Sequence, residues 1–95
     1  MTIVELLCTP EKWTQHASAR TWDEHAVGCL SPDAVKFCVV GALHRCYGPS
    51  QWAVMHKRIE RCLWRRGIES EIVVWQNKPE RTFKEVMSVL KEANV

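Results

Sequence analysis

The stretch 31–48, SPDAVKFCVVGALHRCYG, carries the signals that decide the fold. Ser31 is a favoured helix N-cap, the proline after it suits the first helical position, and Gly48 is a favoured residue for ending a helix. Between them, apolar residues fall on most sides of a helix. The sequence therefore predicts a buried central helix over about 32–47. Gly41 lacks a side chain, so we expect another backbone to come close at that position.

Apolar spacing and capping residues predict the remaining helices. The segment after Ser50 is amphipathic at helical spacing and is expected to end at Gly67. Thr82 and Glu85 match the S/T-x-x-E capping box, the clearest helix start in the chain. The predicted helices are 3–8, 10–20, 51–66 and 82–93.

The segment 71–75 has a different character, because Ile72, Val73 and Val74 are β-branched. No second strong strand is available to pair with it, so we expect an extended connection or one short strand. The prediction for the whole chain, 1–95, is a single all-α domain: a compact bundle of four to five helices around the central helix.

Charge is unevenly distributed along the chain. The net charge is +2, but residues 1–33 carry −3 and residues 34–95 carry +5. Such a domain can dock on a charged partner or on a second copy of itself; an ordinary mixed surface is the alternative.

Composition also limits the cellular setting. No segment has the roughly 18 apolar residues that span a bilayer, and the N-terminus lacks the features of a signal peptide. We therefore expect a cytoplasmic protein that does not bind membranes. Its five cysteines are odd in number, which disfavours a disulfide framework.

A row of cations lies on one face of the predicted helix 51–66. It consists of Lys57, Arg58, Arg61 and Arg65, continues into Arg66 and has Trp64 at its edge. This composition suits an acidic protein surface or a run of phosphates. The alternative is a face that meets only solvent.

Five tryptophans are many for a core of this size. Trp13 and Trp52 are predicted in the core by their helical spacing. Trp22 and Trp75 lie in predicted loops and, with Trp64, are candidate partner-binding residues. The alternative is that the loop tryptophans fold back as lids over helix ends.

Two candidate sites, a catalytic cysteine–histidine pair and a metal site, have little support in the sequence. Cys38 and His44 fall near opposite faces of the predicted central helix, which argues against a nucleophile–base pair. Paired spacings typical of structural zinc are missing around the histidines and cysteines of the first third, His16, His25, Cys29 and Cys8. We predict no catalytic residue, no metal site and no cofactor.

Three segments together resemble a known family. They are W-T-Q-x-x-x-A-R at 13–20, A-V-K-F-C-V-V-G-A-L at 34–43 and V-V-W-Q-N-K-P-E-R-T-F-K-E-V at 73–86. Their order and spacing resemble an uncharacterised family of small proteins from bacteria and their phages, over most of the chain. The resemblance implies a small helical fold and no known activity.

The resemblance also implies that the first and last of these segments belong together. Arg20, Asn77 and Arg81, with Trp75, would then line a pocket for a phosphate or carboxylate. Alternatively, they cap helix ends and tie the late loop to the bundle.

The sequence favours a non-enzymatic protein–protein interaction module that binds a protein partner or itself, for example a phage or bacterial regulator or inhibitor of a host protein. The first alternative is a nucleic-acid-associated protein that uses the same basic face. The second is a small-ligand-binding protein or enzyme with a pocket near Arg20 and Trp75.

Overall fold

The computed structural model describes residues 1–95 as five helices and a small sheet. The helices are α1 (Ile3–Leu6), α2 (Val39–Cys46), α3 (Pro49–Arg65), α4 (Ile72–Gln76) and α5 (Phe83–Glu92), and one 3₁₀ turn covers Pro10–Lys12. The two-residue strands β1 (Ala19–Arg20), β2 (Ala26–Val27) and β3 (Lys36–Phe37) form an antiparallel sheet in the order β2-β1-β3. A mostly helical fold is confirmed; the all-α class is corrected by the sheet.

The central helix is shorter than predicted and begins only at Val39. Ser31 starts a turn instead, in which the Ala34 N–H donates to the Ser31 carbonyl oxygen at 3.1 Å. Residues 36–37 then pair with β1 as strand β3. Ser31 and Pro32 therefore mark a turn and not the start of a helix, since serine followed by proline also favours turns. The helix start predicted near residue 32 is wrong.

Cys38 takes the capping position that Ser31 was expected to hold. Its sulfur accepts a hydrogen bond from the Gly41 N–H at 3.2 Å. The expectation for Gly41 is confirmed, because a Cβ at this position would collide with the carbonyl oxygen of Ser18. The shortened α2 still packs against α1, α3 and α4, so it remains the centre of the fold.

The helix predicted over 10–20 is wrong. After the single 3₁₀ turn, Trp13 forms an isolated parallel bridge with Phe37, and the Thr14 N–H donates to the Phe37 carbonyl oxygen at 3.0 Å. His16 adopts a left-handed backbone conformation with φ 65°. The chain therefore turns sharply here, and tertiary pairing overrides the helical spacing.

The segment 71–75 is not extended, and this prediction is also wrong. Residues 72–76 form the single-turn helix α4, in which Ile72 and Trp75 are buried while Val73 and Val74 are exposed. The three-residue spacing of the buried pair therefore decides the local structure over β-branched propensity.

The two helices with local end signals are confirmed. α3 ends at Arg65, and Gly67 follows with φ 77°, the left-handed conformation that glycine adopts after a helix. The capping box at the start of α5 has both of its hydrogen bonds, between Thr82 and Glu85, at 3.1 and 3.2 Å.

One core joins all five helices. Its largest fully buried side chains include Leu43 of α2, Ile59 and Leu63 of α3, Trp75 of α4 and Leu90 of α5. None of the helices is both long enough and apolar enough to cross a membrane.

Candidate functional site

The outer face of α3 is a cationic surface of the protein. Ile59, Cys62 and Leu63 form the buried side of this helix. On the opposite side, Trp64 is 68% exposed. The predicted cations Lys57, Arg58, Arg61 and Arg65 are all exposed on that side. We call these five exposed residues the basic face.

The cations of the basic face have no acidic partner within the protein. None of them takes part in an ion pair with a carboxylate. Glu60, the acidic residue within this part of α3, lies 3.1 Å from the His56 ring instead. Because Glu60 is the one carboxylate residue of Pro49–Arg65, the four cations leave this helix with an excess of positive charge, which attracts acidic surfaces.

Arg66 does not continue the basic face as the sequence suggested. Its guanidinium forms an ion pair with Glu92 at 3.1 Å and lowers the pKa of that carboxyl group. Glu92 also accepts a hydrogen bond from the Cys62 thiol at 2.8 Å, and burial raises the pKa of this thiol. Arg66 therefore fastens α3 to α5, and its charge is largely neutralised.

Two recesses lie on either side of Arg61. The first, of about 450 Å³, includes Lys57, Glu60, Trp64 and Ile68 in its lining. We call it the Trp64 recess.

The second recess has a volume of about 240 Å³. It is lined by Arg58, Arg61, Arg65, Ala93 and Asn94. We call it the Arg cleft. Arg61 contributes to both recesses, so the recess that contains Trp64 and the Arg cleft are direct neighbours.

The other tryptophans lie elsewhere. Trp22 is 62% exposed, and it shares no recess with Trp64. Trp75 is only 2% exposed, so its assignment to a loop and to partner binding is wrong. Trp13 and Trp52, predicted as core residues, are half-buried and pack against the core without belonging to it.

The predicted pocket does not bring Arg20, Asn77 and Arg81 together, since Asn77 lines a cavity to which neither arginine contributes. Arg20 donates to the Thr14 hydroxyl at 3.0 Å and to the carbonyl oxygens of Glu24 and Gln15. No cavity is lined by either arginine. The interpretation that these residues tie the chain together is therefore the one that the contacts support.

Arg81 and Asn77 make similar structural contacts. Arg81 donates to the Trp75 carbonyl oxygen at 2.9 Å, and its guanidinium lies 4.8 Å from the centre of the Trp75 ring. The Asn77 side-chain oxygen accepts from the His16 N–H at 3.0 Å. Together these contacts hold the loop after α4 against the rest of the fold.

Gln76 is the residue that sequence reasoning missed. It is 1% exposed, and its side-chain oxygen accepts from the Trp13 indole N–H at 2.8 Å and from the Val39 N–H at 3.3 Å. Its backbone carbonyl accepts from the Gln15 amide at 2.7 Å. The motifs at 13–20 and 73–86 therefore meet through Gln76.

A known protein family matches the part of the chain that contains these motifs. The Family of unknown function (DUF6197) matches residues 3–94. The chain belongs to this DUF6197 family. No curated protein and no solved structure matches it. The resemblance noted in the sequence is thereby confirmed, and in this DUF6197 chain the segments 13–20 and 73–86 are joined by hydrogen bonds of Gln76.

The largest cavity of this DUF6197 chain has a volume of about 540 Å³ and is lined by both Cys38 and His44. The argument that a helix separates them is wrong, because Cys38 precedes α2. Burial raises the pKa of the Cys38 thiol, and its sulfur is engaged by the Gly41 N–H. A thiol that stays protonated at neutral pH is a poor nucleophile, so this pair does not support covalent catalysis.

In the same DUF6197 chain, no group of three histidine, cysteine, aspartate or glutamate side chains lies close enough together to hold a metal ion. Of the residues weighed for such a site, His25 lies 2.9 Å from Asp23, and Cys8 is exposed. The most distinctive chemistry on the surface is therefore the cationic and aromatic character of the basic face.

Proposed function

We propose that this protein is a non-enzymatic binding module whose basic face contacts an acidic surface on another protein. The observation that carries the proposal is the position of Trp64, 68% exposed among cations that have no acidic partner. Of these groups, only Arg58 makes a hydrogen bond within the protein, to the Asn94 carbonyl oxygen, and an intermolecular contact would give the exposed tryptophan and the other cations a role.

The energetics favour such a contact. Burying the rest of the Trp64 side chain yields on the order of 3 kcal/mol of gross hydrophobic free energy, at about 25 cal/mol per Å². Tryptophan and arginine are also the residues most enriched among those that dominate binding energy. The surrounding cations would orient the partner and speed the encounter.

The lining of the Trp64 recess favours a protein over a nucleic acid. Glu60 and Glu69 lie in this recess together with the apolar Ile68. Two carboxylates beside the tryptophan would repel a phosphate backbone, whereas a protein surface can present an apolar side chain there and acidic groups beside the cations. Because the family resemblance is to small bacterial and phage proteins, a regulator or inhibitor of a host protein fits this role.

The proposal is tested by capture followed by reconstitution. Immobilised wild-type protein and the Trp64→Ala variant are exposed to a bacterial lysate, and a protein retained only by the wild type is identified, purified and titrated by calorimetry. We expect Trp64→Ala and Arg61→Glu each to weaken binding at least about tenfold, which is about 1.4 kcal/mol. Lys84→Ala, at an exposed position on α5, is the matched control and should bind normally.

Three outcomes would contradict the proposal. The first is a purified partner that binds Trp64→Ala as tightly as wild type. The second is tight binding of a short DNA duplex with a steep loss of affinity as salt rises, which is the behaviour of a nucleic-acid-binding face. The third is a dimer in sedimentation experiments that Trp64→Ala dissociates, because the partner would then be a second copy.

A further inference from the structure

The Arg cleft has the properties of a binding site for a compact anion. Arg58, Arg61 and Arg65 line it together with Asn94, and no carboxylate residue lies in the lining. The spacing of three and four residues puts the three arginines on one side of α3, one turn apart. Three arginine residues therefore line one recess of about 240 Å³.

Part of this cleft is already held in place by the protein. The Arg58 guanidinium donates to the Asn94 carbonyl oxygen at 3.1 Å. Asn94 itself follows α5 in a left-handed conformation, φ 58°, which turns the backbone back toward α3. Arg58 is thus positioned without losing its charge, and most of its five N–H donors remain available.

We propose that the Arg cleft binds the dianion of a phosphate monoester. A single carboxylate has one charge and two oxygens, and one arginine can satisfy it with two parallel hydrogen bonds. A phosphate monoester carries about −1.5 to −2 at pH 7 and three acceptor oxygens, which match several guanidinium groups at once. The backbone phosphate of a nucleic acid has one charge and belongs to a long row, whereas the three arginines share one small cleft with Ala93 and Asn94.

The inference deepens the proposed function and rests on it for the source of the anion. Because Arg61 lines both recesses, a phosphorylated side chain in the Arg cleft would place neighbouring partner residues at Trp64. A free small phosphate ester would fill the cleft alone. Both ligands would present the same phosphate group to the Arg cleft. Only the phosphorylated protein would also contact Trp64.

The test measures binding of phosphoserine, and of a short peptide with and without phosphoserine, by calorimetry at low salt. We expect wild type to bind phosphoserine and the double variant Arg58→Gln/Arg65→Gln to lose at least about tenfold in affinity. Lys84→Gln removes a charge from α5 and should bind as wild type does. Affinity should rise from pH 5 to pH 7 as the phosphate group loses its second proton, with a pKa of about 6.

The variants separate this inference from the proposed function. Trp64→Ala should keep its affinity for phosphoserine, even though it disrupts the surface proposed for the protein partner. A phosphopeptide that binds wild type more tightly than Trp64→Ala identifies a phosphorylated partner. Equal affinities of phosphoserine and phosphopeptide identify a free phosphate ester. Either result supports an anion site in the Arg cleft.

Other results would overturn the inference. They are no measurable binding of phosphoserine by wild type, unchanged binding in the double arginine variant, and an equal loss in Lys84→Gln. Equal affinity for the unphosphorylated peptide would exclude a phosphate-specific cleft. Tighter binding of a short DNA duplex than of the phosphopeptide would assign the cations to a nucleic acid.

Discussion

The indole N–H of Trp13 donates to the side-chain oxygen of Gln76 at 2.8 Å, across 63 positions of sequence. The same oxygen accepts from the Val39 N–H, so one buried amide serves both the N-terminal segment and the first turn of α2. Gln76 lies inside an apolar core, where an unpaired polar group is costly.

Replacing this amide should therefore destabilise the whole fold. Gln76→Leu keeps most of the volume but leaves the N–H groups of Trp13 and Val39 without acceptors. At about 1–3 kcal/mol for each of the two orphaned groups, we expect a loss of roughly 2–6 kcal/mol in the free energy of unfolding. Urea denaturation measures it, with the exposed Gln51→Leu as the control. Equal stability of the two variants would show that the network contributes little.

A second prediction concerns the contact between Gly41 and Ser18. Alanine favours a helix over glycine by about 1 kcal/mol, but here its Cβ would collide with the Ser18 carbonyl oxygen. Overpacking against backbone should dominate, so Gly41→Ala should destabilise the protein by about 1–3 kcal/mol. Gly28 has no atom near its absent Cβ, and Gly28→Ala should be neutral or slightly stabilising in the same thermal melts. A stable Gly41→Ala protein would contradict the close approach.

The two tryptophans assigned alike from sequence should respond in opposite ways. Trp75→Ala removes a buried side chain and should cost about 3–5 kcal/mol, to the point of unfolding the protein. Trp64→Ala removes an exposed one and should change the free energy of unfolding by no more than about 0.5 kcal/mol. Circular dichroism with chemical denaturation compares them. A strongly destabilised Trp64→Ala protein would mean that this residue stabilises the fold.

The capping box of α5 should make stability depend on acid pH. The Thr82 hydroxyl and backbone N–H, followed by Arg81, lower the pKa of Glu85 below its ordinary value of 4.5. Because the folded-state pKa is the lower one, this stabilisation is present above about pH 4.5 and is lost as pH falls through the folded-state pKa. Glu85→Gln should therefore flatten the stability profile in that acid range, whereas Glu80→Gln, at an exposed site outside the box, serves as the control. Parallel profiles for wild type and Glu85→Gln would contradict this role.

The parts of the fold that could be predicted are those with local signals. The region 51–66 has apolar residues at helical spacing and a glycine after it, and the box at Thr82 and Glu85 needs only four consecutive residues. The exposed positions of the cations and of Trp64 in the region 51–66 followed directly from its helical spacing. The basic face was therefore accessible from sequence, although its two recesses depend on Ile68 and Asn94, which other segments supply.

The N-terminal half could not be predicted because distant residues decide it. Gln15 donates to the Lys78 carbonyl oxygen at 2.9 Å, and Thr14 pairs with Phe37; neither contact has a signature in local periodicity. Cys38 escaped notice as a helix cap because serine, threonine, aspartate and asparagine are the residues expected there. For Gln15 and Thr14, the partner residues Lys78 and Phe37 lie too far along the chain for a local pattern to include them.

The contacts across Gln76 have a consequence for how the protein is made. The Gln15 side-chain amide can donate its hydrogen bonds only after Gln76 and Lys78 have been synthesised. At a translation rate of about 5–20 residues per second, these two residues are added roughly 3–12 s after Gln15. During that interval the emerging N-terminal segment lacks its final hydrogen bonds and its apolar cover. The N-terminal segment therefore completes its native hydrogen bonds only after the residues that accept them, more than sixty positions later, have been added to the chain.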